Sequence, residues 1–163
     1  MSKTVSDYGK PRIIEDLEKV KAFTSGFTRD DVEALAGVAE AEEYEPNEIV
    51  VLEDDTSRDI MIIVEGTAGI ELKLTHNEDS SRRISKVRDY TVLGEVAFVD
   101  GSRRSATIRA IVTTMIIRLP YKKLYALCDN NRILGYKLMH NLAVLMAQRL
   151  RNANFEIRAH LYF

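Results

Sequence analysis

The sequence predicts a mainly β fold with helices at both ends. Short apolar segments separated by polar or glycine-containing turns occupy residues 44–119, a pattern typical of an antiparallel sandwich or barrel. Helical periodicity precedes them over residues 12–43 and follows them over residues 120–163. The chain has 163 residues, and we treat residues 1–163 as one domain, large enough to bury a hydrophobic core.

The composition is that of a globular protein. Hydrophobic residues make up 45% of the chain, and no apolar run is long enough to span a membrane. The polar N-terminal segment lacks the hydrophobic region of a secretory signal, so we expect a cytoplasmic protein with no membrane contact. A net charge of −2 gives no reason to expect direct nucleic-acid binding. Cys128, the single cysteine, is interpreted as a small core residue.

Two amphipathic helices are predicted in the N-terminal region. Ile14, Leu17 and Val20 share one face of the first helix. Thr28 and Asp31 have the spacing of a capping box, with Asp in place of the usual Glu, and they open a second helix that runs to about residue 39.

Six strands are predicted directly from the apolar pattern. In the third of them, Ile70, Leu72 and Leu74 alternate with Glu71 and Lys73, which is typical of a strand with one buried face. The predicted strands are Ile49–Leu52, Asp59–Val64, Gly69–Leu74, Arg83–Arg88, Thr107–Val112 and Thr114–Leu119.

The most informative stretch, Gly94–Thr107, lies between two of these strands. Its first glycine permits a sharp turn or a close approach to a ligand. Residues 96–98 could form one helical turn, whose free N–H groups would bind a phosphate. Glu95 precedes that turn and Arg104 follows it. Because arginine pairs bidentately with phosphate and a carboxylate suits a sugar hydroxyl, the predicted ligand contains phosphate and ribose.

This stretch closely resembles the phosphate-binding cassette of the cyclic nucleotide-binding domain family. Gly94-Glu95-Val96-Ala97 is followed, after six residues, by Arg104-Ser105-Ala106-Thr107. The resemblance implies an eight-stranded antiparallel jelly roll with the cassette (residues 94–107) between its strands, N-terminal helices and a long C-terminal helix.

The resemblance also implies roles for individual cassette residues. Glu95 would accept a hydrogen bond from the ribose 2′-hydroxyl, and Arg104 would hold the cyclic phosphate. The other predicted site residues are Gly94, Val96, Ala97, Ser105 and Ala106, which contribute backbone N–H groups and a hydroxyl. Without the resemblance, Glu95 and Arg104 would be interpreted as an ordinary surface ion pair; the agreement over the whole cassette favours a ligand site.

Three positions depart from the family pattern, which commonly has glycine at these turns. They are Asn47, Asp54 and Tyr90. Asn and Asp tolerate left-handed backbone better than other residues, so the first two substitutions are mild. Tyr90 would either reshape the strand that leads into the pocket or pack beside the nucleotide.

The last third of the chain is predicted to be helical. A short helix covers Tyr121–Cys128, and a long one runs from about Ile133 to Arg158. The apolar stripe of the long helix comprises Leu134, Leu138, Leu142, Leu145, Met146, Leu150, Ala153 and Ile157. Two interpretations remain open: the stripe packs wholly on its own domain, or its second half pairs with a second copy in a homodimer. Asn152 or Asn154 would contact a purine base if this helix closes over the ligand, and otherwise both are solvent-exposed.

No catalytic or metal site is predicted. His76, His140 and His160 are too scattered for a metal site. Glu95 has no companion nucleophile or second acid–base group in a recognisable motif, and no cofactor is expected.

These observations predict a cyclic mononucleotide sensor that is not an enzyme. Cyclic AMP is the first choice of ligand and cyclic GMP the second, because the family tends to have Thr after the cassette arginine when cyclic GMP is preferred, and this chain has Ser105. No output domain follows the long helix, so we expect either a free-standing sensor with an unidentified protein effector or a part of a longer protein. The alternatives are a binding-deficient dimerisation or scaffold module of the same fold, and an enzyme on a cupin-like barrel, which would need a metal cluster.

Overall fold

Nine strands and six helices make up the part of the chain that the computed structural model describes, residues 3–5, 7–73 and 81–161. The strands are β1 (Lys3–Thr4), β2 (Glu40–Tyr44), β3 (Ile49–Val51), β4 (Ile60–Glu65), β5 (Thr67–Lys73), β6 (Ser81–Arg88), β7 (Thr91–Leu93), β8 (Thr107–Ala110) and β9 (Thr114–Leu119). The helices are α1 (Lys10–Lys19), α2 (Lys21–Thr24), α3 (Arg29–Val38), α4 (Glu95–Asp100), α5 (Tyr121–Asn130) and α6 (Arg132–Leu161). The polar segment around His76, whose sequence predicts a hairpin loop, lies outside the described residues.

The strands form two antiparallel sheets, and the predicted jelly roll is confirmed. The first sheet has the order β1-β2-β9-β4-β7, and the second has the order β3-β8-β5-β6. Strands β2–β9 form the eight-stranded roll, to which the two-residue β1 adds an edge. β7 and β8 flank the cassette in sequence and belong to different sheets, so the cassette bridges the two sheets.

Strand β4 is the centre of the core because both of its faces are covered. All five residues from Ile60 to Val64 are buried. Ile60 and Ile62 point toward the helices, where they join a cluster with Leu17, Leu35 and other helical side chains. Met61 and Ile63 point between the sheets. This division follows from the two-residue period of a strand.

The N-terminal helices pack on the outside of the first sheet. In α1 the buried apolar residues are Ile13 and Leu17, whereas Ile14, which the periodicity places on the buried face, is only partly buried. The predicted capping box of α3 is confirmed: the Thr28 hydroxyl accepts from the Asp31 N–H at 3.2 Å, and the Asp31 carboxylate accepts from the Thr28 N–H at 2.9 Å.

The alternating pattern of β5 is not the burial pattern that the structure shows. Glu71 is 6% exposed, because Arg83 of β6 and Arg109 of β8 cover it from the neighbouring strands. The Arg83 Nη2 lies 3.3 Å from one carboxylate oxygen of Glu71, and the Arg109 Nε lies 3.1 Å from the other. Ile70 is only partly buried, since it lines the cavity described below.

Helix α6 leaves the domain partway along its length. Leu134, Leu138 and Leu142 are fully buried, and every residue from 150 to 159 is exposed. Two polar contacts attach its first half to the N-terminal helices: Lys137 pairs with Asp31 at 2.7 Å, and the buried Asn141 side chain donates to two backbone carbonyls. Within residues 3–5, 7–73 and 81–161, no helix is both long enough and apolar enough to cross a membrane.

Candidate functional site

Helix α4, the first part of the cassette, is flanked by two glycines in left-handed conformation. Gly94 precedes α4 with φ of 82°, and Gly101 follows it with φ of 72°. A side chain at Gly94 would collide with the Arg104 guanidinium and would lie 2.5 Å from the carbonyl oxygen of Asp59. Glycine is therefore required here both by its backbone angle and by the close approach of its neighbours. The first N–H groups of α4 lack partners within the helix, as at any helix start.

All seven cassette residues predicted as a site line one cavity of about 100 Å³. Its walls also include apolar side chains from four strands of the two sheets. The complete lining is Val51, Ile70, Leu93, Gly94, Glu95, Val96, Ala97, Arg104, Ser105, Ala106, Ile108 and Arg149. The cavity thus combines an apolar interior with both signs of charge and a helix N-terminus.

Arg104 is deeply buried and is held by backbone and hydroxyl oxygens. It is 4% exposed, and it donates to the Asp59 carbonyl at 2.8 Å, the Ser57 hydroxyl at 3.2 Å and the Gly94 carbonyl at 3.3 Å. Burial lowers the pKa of its guanidinium below the ordinary value. A guanidinium has five N–H donors, and the described residues accept from three of them, which leaves two that could bind an anion in the cavity.

Glu95 is equally buried, and its carboxylate pairs with an arginine from α6. Glu95 is 4% exposed, and one of its oxygens accepts from the Nη1 group of Arg149. The Nη2 group of the same arginine donates to the carbonyl of Val92 in β7. Arg149 therefore contacts both the strand that enters the cassette and the acid that begins α4.

Arg149 is the functional candidate that sequence reasoning misses. The buried face of α6 passes through Leu138, Leu142 and Leu145 in steps of four and three, and the next step of four reaches Arg149. An arginine on a continuing apolar stripe is the signal that could have identified it.

The two asparagines predicted to contact a base do not line this cavity. Asn152 and Asn154 are exposed on α6, beyond the point where the helix leaves the domain. The α6 residue that reaches the cavity is Arg149, about one turn earlier, because the buried face of the helix ends there.

Tyr90 lies in a left-handed turn between β6 and β7, outside the cavity lining. Asn47, Asp54 and Tyr90 are the non-glycine residues with positive φ in the described part of the chain, at 73°, 69° and 61°. The Tyr90 N–H donates to the Ile63 carbonyl at 2.6 Å, and the Lys19 ammonium lies 5.7 Å from the centre of its ring. Its ring therefore packs against α1 and not beside a ligand in this cavity.

Residues 57–59 connect the cassette arginine to α5. While Ser57 and the Asp59 carbonyl accept from Arg104, the Asp59 carboxylate accepts from the N–H of Tyr121, the first residue of α5, at 2.8 Å. The Arg58 guanidinium lies 5.5 Å from the centre of the Tyr121 ring. Phe98 of α4 packs edge-on against the same ring at 5.6 Å. The cassette and the start of α5 thus share a contiguous set of contacts.

No group of three or more His, Cys, Asp or Glu side chains is arranged to hold a metal ion among residues 3–5, 7–73 and 81–161. His76 is not among these residues. Burial raises the pKa of the partly buried Cys128 thiol, which disfavours its reactive thiolate form.

Comparisons with known proteins bear on the family and the fold of the chain. The profile of the cyclic nucleotide-binding domain family matches residues 41–131. A curated relative, the potassium channel KAT3 of Oryza sativa subsp. japonica, is 26% identical over 142 residues, which cover 87% of this chain and 27% of the channel. The chain therefore spans only about a quarter of the length of that relative.

Two solved structures illustrate the similarity of fold. A cyclic nucleotide-binding domain from Methylobacillus flagellatus KT is 25% identical with a TM-score of 0.80, over 98% of this chain and 88% of that one. The regulatory domain of Toxoplasma gondii PKA, crystallised with cAMP, is 15% identical with a TM-score of 0.70, over 88% of this chain and 50% of that one.

Proposed function

The chain belongs to the cyclic nucleotide-binding domain family, and we propose that it acts as a sensor of a cyclic mononucleotide. The observation that carries the proposal is the meeting of Glu95, Arg104 and the first turn of α4 at one cavity with apolar walls. These groups match the chemistry of a ribose, a phosphate anion and a heterocyclic base. The proposal assigns no catalytic step to the chain.

In the proposed complex, the cyclic phosphate accepts from the two remaining donors of Arg104 and from backbone N–H groups of Val96, Ala97 and Ala106. The Ser105 hydroxyl adds a further donor, and the ribose 2′-hydroxyl donates to Glu95. Burial makes the positive charge of Arg104 costly on its own, and an anionic ligand would offset that cost. Charge-assisted hydrogen bonds of this kind are stronger than neutral ones.

Cyclic AMP is the proposed ligand, with cyclic GMP as the second candidate. Ser105 supports this order weakly, since Thr at that position is the family tendency for cyclic GMP. The Toxoplasma gondii regulatory domain that was crystallised with cAMP has a similar fold, which also supports this order.

Ligand binding is proposed to act on α5 and α6. Arg104 and Tyr121 share the Ser57–Asp59 segment, so a phosphate that shifts Arg104 would also disturb the start of α5. The cavity of about 100 Å³ is below the roughly 300 Å³ of ordinary small-molecule sites, so its walls must move apart when a nucleotide enters, and we propose that the cassette and α6 shift together with the Arg149–Glu95 contact kept. The ligand shifts this equilibrium only by its difference in affinity for the two states.

The test is thermal unfolding with cyclic AMP, cyclic GMP or plain AMP. A ligand present at a hundredfold its dissociation constant adds about 2.7 kcal/mol, which raises the Tm by about 5–10 °C for a chain of this length. We expect one cyclic nucleotide to raise the Tm of the wild type and to have no effect on the Tm of Arg104→Ala. The control Arg103→Ala should keep the rise, because its exposed side chain lies outside the cavity lining. No rise with any cyclic nucleotide at millimolar concentration would refute the sensor proposal.

The second candidate function is a scaffold that no longer binds nucleotide. The pairing of Glu95 with Arg149 favours it, because a side chain of the protein itself occupies the carboxylate proposed for ribose. In that case the unfolding temperature would not respond to any of the three nucleotides, and Arg149→Gln would not create a response.

We also propose that a second copy of the chain pairs with α6. Apolar residues recur in alternating steps of three and four along a face separate from the buried one: Tyr136, Met139, Ala143, Met146, Leu150, Ala153 and Ile157. We call this face the outer stripe. Tyr136, Leu150 and Ile157 are 73%, 63% and 58% exposed. Such a spacing is that of a coiled-coil seam, which buries these side chains between two helices.

The dimer is tested by sedimentation velocity over about 5–200 µM protein. We expect a dimer for the wild type and a monomer for the double variant Leu150→Lys, Ile157→Lys, since two lysines on the seam would oppose two more from the partner. Asn152→Lys is the control, because Asn152 is exposed on the same helix but lies off the outer stripe. A wild type that remains monomeric at the highest concentration would refute the dimer.

A further inference from the structure

The hydrogen bonds of Arg149 and Glu95 bear on which sugar the site accepts. The Nη1 group of Arg149 donates to one carboxylate oxygen of Glu95, the Oε1 atom, and its Nη2 group donates to the Val92 carbonyl. In the described part of the chain, Arg149 is the residue that forms a salt bridge with Glu95. Among the described residues none is hydrogen-bonded to the Oε2 atom of Glu95, and this side chain lines the cavity.

The burial of Glu95 makes this partner necessary. Its side chain is 5% exposed, and a carboxylate in such a place is costly unless a cation compensates its charge. If Arg149 were removed, the buried Glu95 carboxylate would lose the cation that compensates its charge and would turn away from the cavity. That change alters the acceptor that the site offers to a sugar hydroxyl.

On the premise that the site binds a cyclic nucleotide, we propose that Arg149 sets its preference for ribose over deoxyribose by holding the Glu95 carboxylate in a fixed orientation. Arg149 is thus a positioning residue: it acts on the sugar through Glu95. Its planar fork contacts two acceptors on different elements, β7 and α4, which lysine cannot reproduce with a single ammonium group. The preference for the 2′-hydroxyl therefore depends on α6 remaining docked against the cassette.

The test compares cyclic AMP with 2′-deoxy-cyclic AMP by isothermal titration calorimetry on the full chain. A hydrogen bond to a charged acceptor predicts that the wild type binds cyclic AMP about tenfold or more tightly than the deoxy analogue. In Arg149→Gln we expect this ratio to fall to within about threefold, with binding still dependent on Arg104. Arg149→Lys should give an intermediate ratio, since it keeps the charge and loses the fork.

Two further variants make the assignment specific. Arg151→Gln removes an exposed arginine from the same helix and should leave the ratio unchanged. Glu95→Gln should lower the ratio as Arg149→Gln does, and the double variant should lower it no further, because both changes remove one interaction. A cooperative thermal unfolding transition establishes that each variant is folded. If Arg149→Gln does not fold, the ratio measured for Arg149→Lys tests the proposal in its place.

The outcomes separate the two proposals. If Arg149→Gln weakens both nucleotides by the same factor, then Arg149 only docks α6 and the ribose assignment is wrong. Unchanged affinities in Arg149→Gln would also overturn it, while leaving the sensor in place. Absence of binding of either nucleotide by the wild type would instead overturn the sensor proposal, and this assignment with it.

Discussion

Asn141 is expected to be among the most sensitive polar positions for stability. Its side-chain amide, on α6, donates to the Phe23 carbonyl at 2.8 Å and to the Ser25 carbonyl at 2.9 Å. Asn141 is 5% exposed, and the two carbonyls belong to the end of α2 and the turn after it. One side chain therefore ties α6 to the N-terminal helices through two hydrogen bonds.

The expected cost of Asn141→Ala follows from these two bonds. The bond to Phe23 is buried, so its loss leaves an unsatisfied carbonyl at about 1–2 kcal/mol, whereas water can partly replace the bond to the more accessible Ser25, at about 1 kcal/mol or less. The sum is about 1–3 kcal/mol. An unfolding entropy of about 2.1 cal/mol/K per residue over 163 residues converts this to a fall in Tm of about 3–9 °C.

Differential scanning calorimetry measures the effect directly. Asn152→Ala is the matched control, because it makes the same change at an exposed position on the same helix and should alter stability by less than about 0.5 kcal/mol. If Asn141→Ala and Asn152→Ala shift the Tm equally, then the two hydrogen bonds of Asn141 do not hold α6 against the N-terminal helices.

Three further predictions concern the cassette and the ionisable groups. Gly94→Ala should destabilise the protein by more than about 2 kcal/mol and abolish any nucleotide-induced Tm rise, because φ is 82° and the new methyl group meets the cassette arginine; an unchanged rise would contradict this. Although burial acts to raise the pKa of Asp31, hydrogen bonds from Lys137 and Thr28 lower it overall. Asp31→Asn should therefore lower the free energy of urea unfolding at pH 7, by an amount that shrinks progressively as the pH falls below about 4 toward the lowered pKa. Burial, followed by the hydrogen bond to Asp16, raises the pKa of Tyr8 to about 12. The free energy of unfolding should therefore fall between about pH 10 and 12, and Tyr8→Phe should remove the part of this fall that is due to Tyr8.

Features determined by local chemistry are predictable from the sequence. The capping box of α3 depends on side chains three residues apart, and helix α4 of the cassette depends on glycines at its two ends. Asn47 and Asp54 adopt the left-handed backbone that their short polar side chains tolerate. Tyr90 adopts it as well, against its own preference, so at that position the turn geometry prevails over residue type.

Features that depend on strand neighbours are not predictable in the same way. The alternation in β5 indicates a charged outer face, yet Glu71 is buried because Arg83 and Arg109 lie beside it on the adjacent strands. These arginines are 12 and 38 residues away in sequence. Their approach is fixed by the register of β6 and β8 against β5, and the sequence pattern of one strand contains no information on that register.

The long helix shows why a single apolar stripe can combine two surfaces. A helix has 3.6 residues per turn, so residues spaced by mixed steps of three and four drift slowly around its surface. The predicted stripe therefore begins on the buried face with Leu134 and ends on the outer stripe with Ile157. Arg149 lies on the first face and Leu150 on the second, within the same turn.

A ligand that moves Arg149 must also move Leu150, because both belong to one turn of α6. Dimerisation and ligand affinity would then be thermodynamically linked in both directions. Sedimentation with and without nucleotide measures that link: a dimerisation constant that does not change on ligand saturation would mean that α6 keeps its place when the site is filled.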